Sequence, residues 1–171
     1  VTSCSPGPNN ILASYSGFNF GVLKTIPHML GVIFGFTFLV SVMNFGLINI
    51  FQKFPVMQEV LKYTGSFFLI YLAYKISFSK SNSDNLTKNP VKFIETFFFQ
   101  FINPKSVIVA IIMVSTYVEK GKNFLTYSFW VIGVAFLFAV ISITFWTLLG
   151  KFLRRFATNE KFIKRFNYVM S

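Results

Sequence analysis

Two proline breaks interrupt long apolar stretches of this chain, at corresponding places in its two halves. They are Pro6-Gly7-Pro8-Asn9-Asn10 near the start and Asn103-Pro104-Lys105 just past the middle. Hydrocarbon offers no water to the backbone groups that a proline frees, so a broken helix persists there only where the break lines a cavity. Paired breaks in repeated halves are the best sequence pointer to a transporter's binding site. A carrier of small solutes is therefore expected, with its substrate held at the breaks.

Composition supports the premise that these stretches lie in lipid. Only 12% of the 171 residues are charged and 54% are hydrophobic, whereas a soluble domain carries about 25% charged residues. The length admits one domain, residues 1–171. A spanning helix takes about 20 apolar residues, leaving room for roughly five full helices and their loops. A net charge of +11 would by itself fit a nucleic-acid partner. The basic residues sit in short loops between apolar runs, however, where orientation signals belong, and no basic-aromatic platform accompanies them, which argues against nucleic acid. Cys4 stands alone, which rules out an intrachain disulfide or a cysteine metal site. Val1-Thr2-Ser3-Cys4 has neither the basic head nor the apolar run of a secretory signal. The chain opens without Met and stops at Tyr168-Val169-Met170-Ser171 as another apolar stretch begins, so both ends are expected to be truncated.

The pattern predicts an all-α integral membrane protein. A first segment over residues 1–20 holds the Pro-Gly-Pro break, with Asn9 and Asn10 able to cap the piece that follows. A second helix is expected over about residues 26–51, with Pro27 harmless in its first turn, and a third over about residues 54–78. The polar linker of residues 79–89 separates the halves. A fourth helix, residues 90–118, contains the second break; a fifth covers residues 124–150, and a sixth begins near Phe166. Three helices per half, each with a broken first helix, make two inverted repeats, about residues 1–78 and 90–171. Lys and Arg concentrate in the odd loops (Lys24; Lys75 to Lys92; Lys151 to Arg165), which places those loops in the cytoplasm and both termini outside.

Lys105 is the most demanding residue. It lies about 14 residues into the fourth helix, roughly 20 Å along the axis and too deep for easy snorkelling. A lysine there costs roughly 2.5–3.5 kcal/mol on insertion scales. Two readings stand: satisfaction by carbonyls freed at Pro104, or a cation that meets an anionic group of the substrate. The latter is preferred, because no acid lies within one turn of it. Around the first break, Pro6 and Pro8 remove two donors and Gly7 admits unusual backbone shapes. The helix after Pro8 points its N-terminus at the break and attracts anions, while carbonyls before the break suit an ammonium. A kink that only shapes the bundle is the alternative. Gln100, one turn before Asn103, is expected in the same cavity.

Glu95 reads either as an interfacial ion pair with Lys92 or as a proton carrier or amine ligand. His28, after Pro27, can titrate near neutral pH or serve as a hydrogen-bonding residue at a helix start. Glu59 and Lys62 read as a solvated pair. Gly31-x-x-x-Gly35, with Gly17, Gly21 and Gly65, points to close helix approach.

Taken in order, Pro6-Gly7-Pro8-Asn9-Asn10, Pro27-His28-x-x-Gly31, Leu61-Lys62-Tyr63-x-Gly65 with Tyr71-Leu72-Ala73-Tyr74-Lys75, Phe93-x-Glu95 and Gln100-x-x-Asn103-Pro104-Lys105 form a specific set. From about Cys4 onward the chain resembles the lysine exporter (LysE/RhtB) family of amino-acid efflux carriers, which includes homoserine and threonine exporters. The resemblance implies six helices in a bacterial inner (plasma) membrane. It also implies outward transport of amino acids or close derivatives, proton antiport, and a site formed by the segments around Pro8 and Pro104. Family members have a fuller first helix and a complete sixth.

A metal-cation exporter needs clustered carboxylates, His or Cys, and a midplane lysine would repel the cargo. An enzyme is not expected: one His excludes His-Glu-x-x-His, and Asp84 is the sole Asp. A noncatalytic membrane scaffold remains as an alternative that would show no stabilisation by a ligand. No cofactor is implied, and homo-oligomerisation is left open.

Overall fold

A computed structural model describes residues 7–47, 91–118 and 123–155, together with positions 56, 60, 63, 67 and 70. Apart from those five helical positions, the expected third helix lies outside the described residues, as do Pro6, the linker and the sixth helix. The described segments form four helices and one π-helical turn, with no strand among them. They are α1 (Pro8–Val42), which runs into the π turn Met43–Leu47, then α2 (Phe93–Ile102), α3 (Pro104–Tyr117) and α4 (Phe124–Arg154).

α1 is not straight. Gly21 has φ 77° and ψ 171°, a conformation essentially restricted to glycine. The chain doubles back there, as its contacts with α2 show. Asn9 bonds the Gln100 side chain, and a methyl on Gly35 would lie 2.9 Å from Gln100 Cγ. A straight helix would put those two residues about 39 Å apart. α1 is therefore two antiparallel arms, residues 8–20 and 22–42. The second arm starts directly after Gly21 rather than near Ile26, and the Thr25 hydroxyl ties back to the Gly21 carbonyl at 2.7 Å. Pro27 consequently sits beyond the first turn, inside the helix.

α4 runs parallel to the first arm and antiparallel to the second. Ser142 meets Asn10 and Arg154 meets Phe18 and Asn19, whereas the Phe34 ring lies tilted against Phe136 and Phe45 meets Phe124 edge to face. α2 runs parallel to the second arm, with Gly31 against Phe93 and Thr96, Gly35 against Phe97, and Phe38 against Phe101. The glycine spacing thus serves packing within the chain. α3 packs Val107, Ala110 and Val114 into a core with Val32, Phe36, Leu39, Met43, Val131 and Ala135.

By length and composition, α1 with its π turn and α4 qualify as membrane spans, and α2 with α3 qualify together as a span bent by 64°. Large apolar side chains also face outward: Phe34, Phe98, Phe129, Trp130, Leu137 and Phe145 are exposed, while the interior holds, beside its apolar core, the polar Ser14, Ser16, Thr25, His28, Gln100 and Thr147. An apolar exterior with polar side chains turned inward suits a hydrocarbon solvent. Charge is also segregated. Among the described residues Lys24, Lys92, Lys151, Arg154 and Arg155 lie where the Gly21 bend, the start of α2 and the end of α4 come together. Lys105 is the described cation away from that basic end.

Candidate functional site

α2 stops at Ile102 because Pro104 has no N–H to offer the Gln100 carbonyl. The Lys105 N–H turns instead to the Asn103 side-chain oxygen at 3.1 Å, capping α3. The carbonyls of Gln100, Phe101 and Ile102 therefore receive no helical N–H across the break. These are the freed acceptors that the sequence places next to Asn103-Pro104.

The other break comes to meet this one. A methyl on Gly7 would stand 2.8 Å from Lys105 Nζ. Pro8 opens the first arm of α1 beside Asn103 and Pro104, which open α3. The two helices then leave the junction in opposite senses, the first arm toward the basic end and α3 toward the Met43–Leu47 turn. Two helix N-termini, each with a partial positive charge, thus converge where an ammonium already stands.

Between them lies a cavity of about 60 Å³, room for roughly four waters. Its polar wall comes from Gly7, Pro8, Asn9 and Asn10 of the first break and Gln100, Asn103 and Lys105 of the second, joined by Ser106 and Ser142. Its apolar wall comes from Val32 and Phe36 on the second arm, Val109 on α3, and Ala139 and Ile143 on α4. No carboxylate lines it among the described residues. Counted along α4, Ser142 is 12 residues from Arg154 and 18 from Phe124, so the cavity sits roughly 18 Å from the basic end and 27 Å from the other.

The polar wall is cross-linked. Asn9 Nδ2 donates to Gln100 Oε1 at 2.7 Å, and Gln100 Nε2 donates back to Asn9 Oδ1 at 3.2 Å. Gln100 Nε2 also reaches the Thr96 carbonyl, and the Ser106 hydroxyl donates to Gln100 Oε1 at 3.0 Å. On the opposite wall Ser142 Oγ donates to Asn10 Oδ1 at 3.3 Å. A residue from each break is thus bonded directly to the other, and the amides are held by several bonds in a low-dielectric setting.

Of the residues singled out from sequence, Gly7, Asn9, Asn10, Gln100, Asn103 and Lys105 come together around this cavity with Pro8. Pro104 starts α3 beside it. Glu95 and His28 do not line it. The Glu95 carboxylate accepts the Lys92 backbone N–H at 3.1 Å, closing the first turn of α2. Its partner is that backbone group rather than the Lys92 ammonium. His28 is fully buried one turn away from the cavity wall. Ser106 and Ser142 were not singled out from sequence. A hydroxyl in the middle of an apolar helix is the signal that marks them.

Compared with known proteins, the chain matches the family described as LysE type translocator over residues 1–171. The cysteine/O-acetylserine efflux proteins of Escherichia coli (strain K12) and Shigella sonnei (strain Ss046) are each 32% identical to it over 159 residues, covering 91% of this chain and 80% of the relative. No solved structure matches. A cavity built where two broken helices meet, inside an apolar bundle, agrees with that match, and the chain belongs to the LysE-type translocator family of membrane transporters, not to a family of enzymes.

Proposed function

We propose that this protein exports small neutral amino acids or close derivatives from the cytoplasm across the bacterial inner membrane, in exchange for protons. The observation that carries the reading is the cavity's chemistry. One ammonium and two helix N-termini suit a carboxylate, amide oxygens and freed carbonyls suit an α-ammonium, and no carboxylate among the described lining residues would hold a second positive charge. Lys105 and the N–H groups after Pro8 take the carboxylate. The carbonyls around Ile102, with those before the first break near Pro6, take the amine. The wall of Val32, Phe36, Val109, Ala139 and Ile143 takes a short side chain. Basic amino acids are disfavoured as cargo, since no carboxylate among the described lining residues would receive their second positive charge.

The relatives named for cysteine and O-acetylserine efflux agree with a short, uncharged side chain. The six-helix inverted repeat is supported by two broken helices that begin at one cavity and leave it in opposite senses. The basic end lies toward the cytoplasm by its excess of Lys and Arg. Proton exchange and the inner-membrane location follow the family resemblance.

The test is efflux of cysteine, O-acetylserine and lysine from loaded proteoliposomes. Saturable efflux of the first two and none of the third is expected. Lys105→Ala removes a charged contact of roughly 1.5–3 kcal/mol and should slow efflux about 10- to 150-fold. Unchanged efflux in both Lys105→Ala and Asn9→Ala discards the site.

A further inference from the structure

We propose that His28, assisted by the Ser14 hydroxyl, carries the coupling proton, in a buried layer one helical turn from the substrate cavity on the side of the basic end. The inference rests on the proton-exchange reading above and assigns that exchange a residue.

The placement follows from helix register. Val32 and Phe36 line the cavity, and His28 precedes them by four and eight residues on the same arm. It therefore shares their face, about 6 Å closer to the Gly21 bend. On the first arm Ser14 stands one turn beyond Asn10, another lining residue, on that residue's face. Ser14 lies seven residues before Gly21 and His28 seven after it, so the two occupy the same height in antiparallel arms. α2 closes the layer with Thr96, one turn before Gln100, whose hydroxyl bonds the His28 carbonyl at 3.2 Å.

Both residues are unusual in this interior. His28 and Ser14 are each 0% exposed, and among the described residues His28 Nδ1, His28 Nε2 and Ser14 Oγ find no hydrogen-bond partner. Buried polar groups are nearly always paired, and exceptions call for a reason. In the cavity above, the polar side chains are cross-linked; in this layer Thr96 is bonded, while the His28 ring and the Ser14 hydroxyl are left unused. An imidazole offers one donor and one acceptor and can take up or hand on a proton. A hydroxyl at the same height can both donate and accept. Together they can pass a proton once the layer opens to water.

The surrounding charges favour release over storage. Among the described residues, the ionisable groups on this side of the packed elements are Tyr15 on the first arm, Lys24 on the second, Lys92 and Glu95 at the start of α2, and Lys151, Arg154 and Arg155 at the end of α4; Lys105, Tyr117 and Tyr127 lie on α3 and α4 at the cavity or beyond it. Glu95 neighbours Thr96, but its carboxylate is engaged by the Lys92 N–H. Cations outnumber acids on this side, so a protonated His28 is not trapped in a salt bridge and gives its proton up toward the basic end. Glu95 serves as a helix cap in this scheme and not as the carrier.

Reconstituted protein separates the two halves of the cycle. Counterflow of labelled cysteine at equal pH needs only the substrate site, whereas uphill movement under an imposed pH gradient also needs the proton. His28→Gln should keep counterflow within about twofold and lose gradient-driven movement by at least about tenfold. Ser14→Ala should slow only the driven mode. His28 is the chain's single histidine, so diethylpyrocarbonate treatment of folded wild type during turnover gives the same separation without a substitution. Driven movement that survives both the substitution and the reagent overturns the assignment. Equal loss of both modes in a folded variant also overturns it and makes His28 a packing residue. A wild type that shows counterflow but no response to the gradient refutes the proton-exchange reading itself.

Discussion

Gln100 is where the two breaks are fastened together, and its replacement gives the sharpest test of the site's architecture. The side chain is fully buried and makes four hydrogen bonds: two with Asn9, one with Ser106 and one with the Thr96 carbonyl. Gln100→Leu keeps most of the volume and removes all four. The Thr96 carbonyl retains its place in the helix ladder, but the Asn9 amide and the Ser106 hydroxyl are stranded. A stranded buried group costs roughly 1–3 kcal/mol. Asn9 is only half-buried and water from the cavity can recover part of its loss, so the sum is about 2–4 kcal/mol. The informative comparison is Asn9→Leu with Gln100→Leu. Replacing both partners by apolar groups is far less costly than stranding one, so the double variant should be more stable than the summed losses by about 1–2 kcal/mol. Reversible unfolding in mixed micelles, followed by the fluorescence of Trp130 and Trp146, measures all three. Losses that simply add, within about 0.5 kcal/mol, would refute a direct bond between the breaks.

Two further outcomes follow from the backbone. Gly150→Ala should destabilise the bundle by about 1–3 kcal/mol, because its methyl would overlap the Ser14 carbonyl and backbone cannot rotate aside. Gly133→Ala, with open space around it, should cost nothing in the same unfolding experiment, and equal effects at the two sites would count against the close contact of α4 with the first arm. Gly21→Ala forces an L-residue to φ 77° and should cost roughly 1–3 kcal/mol; stability equal to wild type would mean that the arms do not reverse there.

What could be read from the residues alone was governed by local chemistry. A proline inside an apolar run breaks a helix wherever the run goes, because the missing N–H belongs to the residue itself. The break at Asn103-Pro104 was legible for that reason, the helix from Phe124 because a long apolar run follows a short polar stretch, and the membrane setting because scarcity of charge is a property of composition. Helix boundaries that depend on one backbone angle were not. Pro27 pointed to a helix start near Ile26, yet the start belongs to Gly21, whose positive φ no residue type announces among so many glycines. Glu95 has the same character: its spacing from Lys92 fits either an ion pair or a cap, and only the folded geometry selects the backbone N–H.

The meeting of the two breaks belongs to the fold. Asn9 and Gln100 are 91 positions apart, and nothing in their immediate sequence says that they bond. That contact exists because the Gly21 reversal and the shared partner α4 bring two distant segments to one height. Proximity across so many residues is set by packing, which propensity and periodicity do not encode. The same limit hid Ser142 in the cavity wall and left His28 looking like an ordinary residue at a helix start, when tertiary packing encloses its ring with no hydrogen-bond partner among the described residues.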